Sequence, residues 1–428
     1  MITTILKERN LNSVFLGQLM KVINVSGSVN SGKSTLVGYL LYKYSVERYY
    51  IDMKTRYFQM MMKTNKVPVS EYLANLIQVS TDETLRQMTM ISKAVRLKTD
   101  KDNLVFIDVG GHHKYTFQVH LSSVESDTTL FTIGVDEVKE RAYIRETFLT
   151  HFITSYITRK SFSKNPVFHL VLTKVDTEPN YDKYFEQLKE DINVITKNLG
   201  MNDVVLFYYT SGIKINSIND IISIGDHETL VKNLLKTERN IINEKGTVFH
   251  VRDLMYPERN IRVLGGRLMS GRIEKKQYIN TQFGELQVKE LEIFGNKVNV
   301  INQGDYAGIR FENDEITENF RGGEILGNYR LTKQLNIRRF VNLQDNIKNI
   351  INELGLIMTS QHFTFVNYKE GSYFYTTING FRNKMKITTL EKNMFTVDLE
   401  KENSLFLNTP NTGIAYNNEN KLIGAFII

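Results

Sequence analysis

The stretch Gly27-Ser28-Val29-Asn30-Ser31-Gly32-Lys33-Ser34 fits the pattern G-x-x-x-x-G-K-[ST] without a mismatch. An apolar run at 22–25 precedes it, and a helical pattern over 33–44 follows. That context gives the motif its chemistry. Glycines let the backbone fold close around a phosphate, so that its N–H groups and the positive end of the next helix face the anion. In such a loop Lys33 bridges the β- and γ-phosphates of a nucleotide, and the Ser34 hydroxyl ligates Mg2+. The phosphate-binding set expected from this stretch is Gly27, Asn30, Ser31, Gly32, Lys33, Ser34 and Thr35.

Outward from the loop, residues 21–240 alternate short apolar β-type runs with longer helical patterns, as a doubly wound α/β domain requires. Strands are expected at 21–25, 104–107, 129–133, 167–173 and 204–209. Helices are expected at 33–44 and 182–199, the second closed by Gly200. The texture then changes. Strands at 247–252, 261–268, 285–294 and 306–311, cornered by Gly295-Asn296 and Gln303-Gly304-Asp305, read as a small β-barrel. A third β-rich stretch carries strands at 363–368, 372–378, 384–389 and 393–399, preceded by one helical insert at 346–354. The expected fold class is therefore an α/β P-loop domain followed by two β-barrel domains. Its divisions are 1–243 (with 1–20 as an N-terminal extension), 244–333 and 334–428.

The base is read by a second motif. Thr173-Lys174-Val175-Asp176 follows the apolar run 167–172. A carboxylate placed there accepts from both N1–H and the N2 amino group of guanine, whereas adenine offers no such pair of donors; losing buried pairing of this kind costs several powers of ten in discrimination. Lys174 lays its aliphatic stem along the base. Ser211 and Gly212, after the run 204–209, offer backbone N–H groups to the guanine carbonyl. The expected ligand is GTP or GDP with Mg2+.

Asp108-Val109-Gly110-Gly111-His112 follows the run 104–107 and reads as a D-x-x-G-H box. Here the chain resembles the translational GTPases of the elongation factor Tu and elongation factor 1-alpha family, in which the first domain is an α/β P-loop GTPase domain. Residues 32–43 are similar to the corresponding helix of elongation factor 1-alpha, and the insert from Ser45 to about Ser80 resembles that branch. Arg86-Gln87-Met88-Thr89-Met90 falls where the family has R-G-I-T-I. Val263-Leu264-Gly265-Gly266-Arg267, with Gly271, Ile273, Gly304, Ala307-Gly308 and Arg321-Gly322-Gly323, resembles the following barrel. The phrase 106–115, with Thr173 in the base box, looks closer to the GTP-binding protein 1 relatives. After Leu326 the similarity is weak.

The resemblance implies roles. Thr89 closes on the γ-phosphate and Mg2+, Asp108 holds Mg2+ through water, the Gly111 N–H senses the γ-phosphate, and His112 orients the attacking water. Release of these contacts on hydrolysis frees the switch segments. It also implies departures. Asn30 stands where the family carries Asp, Gly110 where it carries Pro, Gln87 where it carries Gly, and Thr173 where it carries Asn. The last is expected to cost the hydrogen bond that ties the base box to the phosphate loop.

Composition sets bounds. The 428 residues suggest two to four domains at about 100–200 residues each. No apolar run approaches the length of a membrane span, the first residues do not read as a secretory signal, and zero cysteines exclude disulfides and thiolate metal sites. These features lead to an expectation of a cytoplasmic monomer. The formal net charge of +7 is compatible with an RNA-rich partner but is spread along the chain. His112-His113 is read as no metal pair, for want of further ligands. The aromatic and Met-rich run from Tyr49 to Met62 reads as a helix packed on the body, and Arg382-Asn383-Lys384-Met385-Lys386 as a solvated hairpin face.

Two functions follow. One is a GTPase that turns GTP into GDP and phosphate on the ribosome to deliver tRNA or a tRNA-mimicking protein. The alternative is a weakly catalytic or non-catalytic GTP/GDP-binding module that engages RNA or a host translation factor. A metabolic enzyme driven by nucleotide would need a second substrate site, which the sequence does not show.

Overall fold

The computed structural model describes residues 20–65, 67–77, 93–100, 102–111, 115–141, 147–163, 166–200, 205–210, 213–223, 225–240, 242, 244–258, 260–337, 339–342, 344–354, 369–391, 394–416 and 422–428. Thr89, His112, Ser211 and Gly212, the run 86–90 and the strand expected at 363–368 lie outside the described residues.

Six strands form the first sheet: β1 Met20–Gly27, β2 Lys93–Lys98, β3 Asn103–Asp108, β4 Thr128–Gly134, β5 Phe168–Thr173 and β6 Val205–Tyr209. Their order is β2-β3-β1-β4-β5-β6, with every pairing parallel except β2 with β3. Every residue of β1, β3, β4 and β5 is buried. Parallel strands covered by helices on both faces read as unbroken apolar runs, which is why these were legible. Strand β2 alternates between buried and half-buried residues and was not among the expected strands. The β1 strand sits between β3 and β4, so the loop that leaves its carboxyl end opens where the chain's direction of winding reverses. In open α/β sheets that crevice is where ligands bind.

The helix after the phosphate loop spans Lys33–Tyr44, as expected. Gly38 lets it close on its neighbour, because a Cβ there would stand 1.9 Å from the Leu73 carbonyl oxygen. Tyr181–Asn198 buries Leu188, Ile192 and Ile195 along one stripe and ends in a turn whose Gly200 has φ 64°, the left-handed close predicted for it. In the insert, the Arg48–Asn65 helix buries Ile51, Phe58 and Met61 against the body. Its other side leaves Tyr49, Met53, Tyr57 and Met60 exposed, so the aromatic and Met-rich run is only half packed.

The second unit is a seven-stranded antiparallel sheet built around Val248–Glu258, Ile261–Ser270, Gly284–Ile293 and Tyr306–Phe311. It encloses Phe249, Val251, Leu264, Leu291, Ile309 and Phe311. Gly266 meets its family-like placement through close approach, since a Cβ there would come within 2.1 Å of the His250 carbonyl oxygen. The third unit is another seven-stranded sheet, including Arg330–Ile337, Tyr373–Ile378, Phe381–Glu391, Met394–Leu405 and Leu422–Ile427. The helical insert spans Gln344–Glu353. Its Ile347, Ile350 and Ile351 join the core formed by Leu188, Ile192 and Ile195 of the first unit. Arg141 Nη1 donates to the Leu354 carbonyl across the same seam at 2.9 Å. The hairpin over 381–386 is not simply solvated. Met385 and Asn383 are buried, Arg382 covers the Phe117 ring, and Lys384 and Lys386 face Tyr373.

The Thr116–Glu125 helix and the residues just after it touch all three units. His120 Nδ1 pairs with Thr377 Oγ1 at 2.6 Å and its Nε2 with Thr412 Oγ1 at 3.2 Å, both in the third unit. Glu125 Oε1 meets His250 Nδ1 at 3.1 Å, and its Oε2 accepts from Arg252 Nη1 at 3.4 Å, both in the second. Two residues on, Asp127 takes Arg267 Nη2 on both oxygens at 2.9 Å. The Asp127 carboxylate also accepts from the backbone N–H of Val22 at 2.8 Å and of Asn240 at 2.5 Å. Charges buried this deeply are tolerable only when paired and hydrogen-bonded.

Candidate functional site

Strand β1 ends in Gly27, whose φ of 151° lets the loop turn out of the sheet; a Cβ there would stand 2.3 Å from the Thr132 carbonyl oxygen. Asn30 follows at φ 61° and Gly32 at φ 83°, both left-handed, so the chain curls back on itself before the helix starts. The curl is pinned from within: Ser31 Oγ donates to the Ser28 carbonyl at 2.9 Å and shares a hydrogen bond with Thr132 Oγ1 at 2.8 Å. Asn30 is exposed at the outer edge of the loop, and Thr35 is half-buried in the first helical turn.

Lys33 folds inward over this nest. Its Nζ donates to the Ser28 carbonyl at 2.6 Å and the Gly27 carbonyl at 3.1 Å. Burial pushes its ammonium down from the usual lysine range, while Asp108 and Glu137 pull it back up. A cation held on two neutral carbonyls with carboxylates at longer range is placed to transfer to phosphate oxygens. Ser34 Oγ donates to Asp108 Oδ2 at 2.9 Å, which brings two hard oxygen ligands together at the mouth of the loop. Gly111 packs against Lys33 and Ser28: a Cβ there would stand 2.7 Å from Lys33 Nζ and 2.7 Å from the Ser28 carbonyl oxygen. The predicted Lys33, Ser34, Asp108 and Gly111 are thus one constellation. Thr89 and His112 lie outside the described residues.

The base box corrects one expectation. Thr173 does not forfeit the tie to the phosphate loop. Its Oγ1 donates to the Ser31 carbonyl at 2.7 Å and lies 3.2 Å from the Ile133 carbonyl. The reason is proximity: a Cβ on Gly32 would lie 3.3 Å from Thr173 Oγ1, so a short hydroxyl at the end of β5 spans a gap for which a longer amide is not needed. Replacing Thr173 with Val keeps the shape and removes that donor, leaving a buried carbonyl short of a partner, a change worth about 1–3 kcal/mol. We expect Thr173→Val to raise the Kd for GDP by about tenfold, and Thr173→Ser to stay within about threefold, by fluorescent-nucleotide titration.

Lys174 takes the left-handed conformation, φ 59°, and its Nζ meets Asp136 Oδ2 at 2.9 Å. With the ammonium anchored, the methylene stem is left as a flat apolar rail. Asp176 sits in the Val175–Thr177 turn with its side chain exposed. Three partners of the site were not anticipated: Thr132, Asp136 and Glu137. Glu137 Oε1 accepts from the Gly134 N–H at 3.2 Å, and burial holds its carboxyl above the usual range. The signal was present, since Gly134-Val135-Asp136-Glu137 leaves the carboxyl end of the strand beside β1, where it must meet the loop.

A P-loop at the carboxyl edge of a parallel sheet, with Thr173-Lys174-Val175-Asp176 at the end of β5 and two β-rich units following, defines a P-loop nucleotide-binding protein. The chain belongs to the family of the elongation factor Tu GTP binding domain, whose sequence model matches residues 19–243. Among curated proteins it is 24% identical over 255 residues to sulfate adenylyltransferase subunit 1 of Pseudoalteromonas atlantica, covering 58% of this chain and 51% of that one. It is 28% identical over 198 residues to elongation factor 1-alpha of Pyrobaculum aerophilum, covering 45% and 42%. These matches span about half the length of the relatives or less. The fold is shared with the GTPase-like domain of Saccharomyces cerevisiae Ski7 bound to GTP, at a TM-score of 0.68 and 16% identity over 96% of this chain and 97% of that one. It is also shared with the bacterial selenocysteine-specific elongation factor EF-Sec, at 0.66 and 14% over 96% and 58%.

Proposed function

We propose that the chain is a Mg2+-dependent GTPase that turns over GTP on the ribosome to deliver tRNA or a tRNA-mimicking protein. One observation carries this reading: Lys33, Ser34, Asp108 and Gly111 form a single constellation, and the helix eight residues after Asp108 is bonded to both β-rich units. A change at the γ-phosphate thus has a physical route to the arrangement of the three units. The same reading divides the chain at 243/244 and 333/334 and places it in the cytoplasm.

In the cycle so proposed, the loop N–H groups and Lys33 hold the β- and γ-phosphates. Ser34, Asp108 (through water) and Thr89 would hold Mg2+, which would neutralise charge that develops on the phosphates. The Gly111 N–H registers the γ-phosphate, and His112 positions the attacking water. Ser211 and Gly212 complete the guanine pocket with Lys174 and Asp176.

The test is GTP turnover by the purified chain, with and without eukaryotic ribosomes, beside His112→Ala. Acceleration by about 100-fold or more, some 2.7 kcal/mol of barrier, and its loss in the variant are expected. Tight GTP binding with no effect of ribosomes would overturn the hydrolytic reading in favour of a binding module that engages RNA or a host factor.

A further inference from the structure

A second cavity lies at the opposite end of the first sheet from the phosphate loop. It is a half-open cleft with a volume of about 690 Å³, bordered by the starts of β5 and β6, the end of the His227–Lys236 helix and the linker into the second unit. The strands between the two sites are about 20 Å long. The size falls within the roughly 300–1,000 Å³ of small-molecule sites and well beyond what a simple inorganic anion fills.

Its wall is cation-rich. Arg159, Lys236 and Arg239 line it, against Asp127 and Glu238. Asp127 is already committed to Arg267 and to two backbone N–H groups. Arg159 and Arg267, both buried, crowd the same carboxylate, and burial with that like charge holds Arg159 down at about 10. Arg239 is likewise lowered, by burial and by Arg267. Asp305, which also acts on Arg239, is itself pushed up by burial. Polar capacity is also unused. Among the described residues, the Asn240 carboxamide, 7% exposed, has neither its oxygen nor its nitrogen hydrogen-bonded, and the Nε of Arg159, 2% exposed, is without a partner. Native structures rarely leave such groups unsatisfied without a reason. Arginine and lysine beside an open amide form a recognition set for a phosphate group.

We propose that this cavity is a binding site for a small phosphate ester, separate from the guanine-nucleotide site and set against the linker between the first and second units. The phosphate group would lie on the Arg159, Arg239 and Lys236 side, and the organic part would fill the remaining volume beside Phe162 and Leu206. Because Arg239 Nη2 also donates to the Gln303 carbonyl at 2.6 Å, an occupied site would bear on a direct contact to the second unit.

The experiment is isothermal titration of the full chain, saturated with GDP and Mg2+ so that the phosphate loop is filled. The probes are inorganic phosphate and adenosine 5′-monophosphate, the latter chosen because a guanine-selective pocket rejects it. A single saturable site is expected, with a phosphate Kd of about 1 mM or tighter and the ester tighter still. Lys236→Glu, at an exposed position, and Asn240→Leu should each weaken both by about tenfold or more. Melting of the probe-free protein serves as the folding control; Asn240→Leu should not lower it, since the carboxamide there bonds nothing among the described residues. No saturable binding, binding that both variants leave unchanged, or binding of phosphate but not of the ester would each overturn the proposal.

Discussion

Replacing Asp176 with Asn is expected to weaken GDP binding by about 1,000-fold or more, close to 4 kcal/mol, and to shift preference toward xanthine nucleotides. The carboxylate stands exposed in the Val175–Thr177 turn, directly after Lys174, whose ammonium Asp136 anchors. One carboxylate can accept from two guanine N–H groups, and these are hydrogen bonds to a charged acceptor. An amide at that position turns one acceptor into a donor aimed at the N2 amino group, so a pair is lost and a repulsion is added. Xanthine carries a carbonyl where guanine carries that amino group, and the amide donor suits it. Competition of GDP and XDP for a fluorescent nucleotide reads both effects. Since Asp176 is exposed, melting of the nucleotide-free protein should not change. A GDP affinity within about tenfold of the parent, with no gain for XDP, would show that Asp176 does not pair with the base.

The second large effect is on stability. Asp127→Ala should destabilise the protein by about 3–5 kcal/mol, because it strands buried positive charge rather than merely removing an ion pair. Arg267 is 1% exposed and places Nη2 on both Asp127 oxygens at 2.9 Å. Arg159, 2% exposed, is bonded to the Ser126 and Asp127 carbonyls beside it. Two backbone N–H groups, those of Val22 and Asn240, lose their acceptor as well. The pair spans the first and second units, so their docking should fail before either core melts. Thermal unfolding followed by tyrosine fluorescence, with Arg267→Leu and the double variant, completes a cycle. The double variant should be more stable than Asp127→Ala, since an apolar side chain needs no counter-charge. If the single variants simply add, Asp127 and Arg267 do not act as a pair.

How much of this was legible in the sequence depended on the distance over which each feature is specified. The phosphate loop, the Lys33–Tyr44 helix and the buried parallel strands are set by neighbours a few residues apart, and they appear where the pattern put them. Strand β2 carries only half its residues to the core, which left too faint a signal. The Gln344–Glu353 helix was legible as a helix, but not as a part of the first unit's core, because an apolar stripe does not name the surface that will cover it.

At the site, the same division holds. The residue types at Lys33, Ser34, Asp108 and Asp176 belong to local motifs, and the sequence alone pointed to a guanine nucleotide as the expected ligand. Only the tertiary structure decided that Thr173 reaches Ser31, 142 residues away, and so replaces the tie its change from Asn was expected to lose. It alone paired Lys174 with Asp136, and it alone showed that Arg267, read from sequence as part of a barrel motif, closes onto Asp127, 140 residues earlier. A hydrogen bond depends on an approach of about 3 Å between atoms that chain order does not bring together. The backbone pattern therefore announces the elements, while their packing determines which side chains meet.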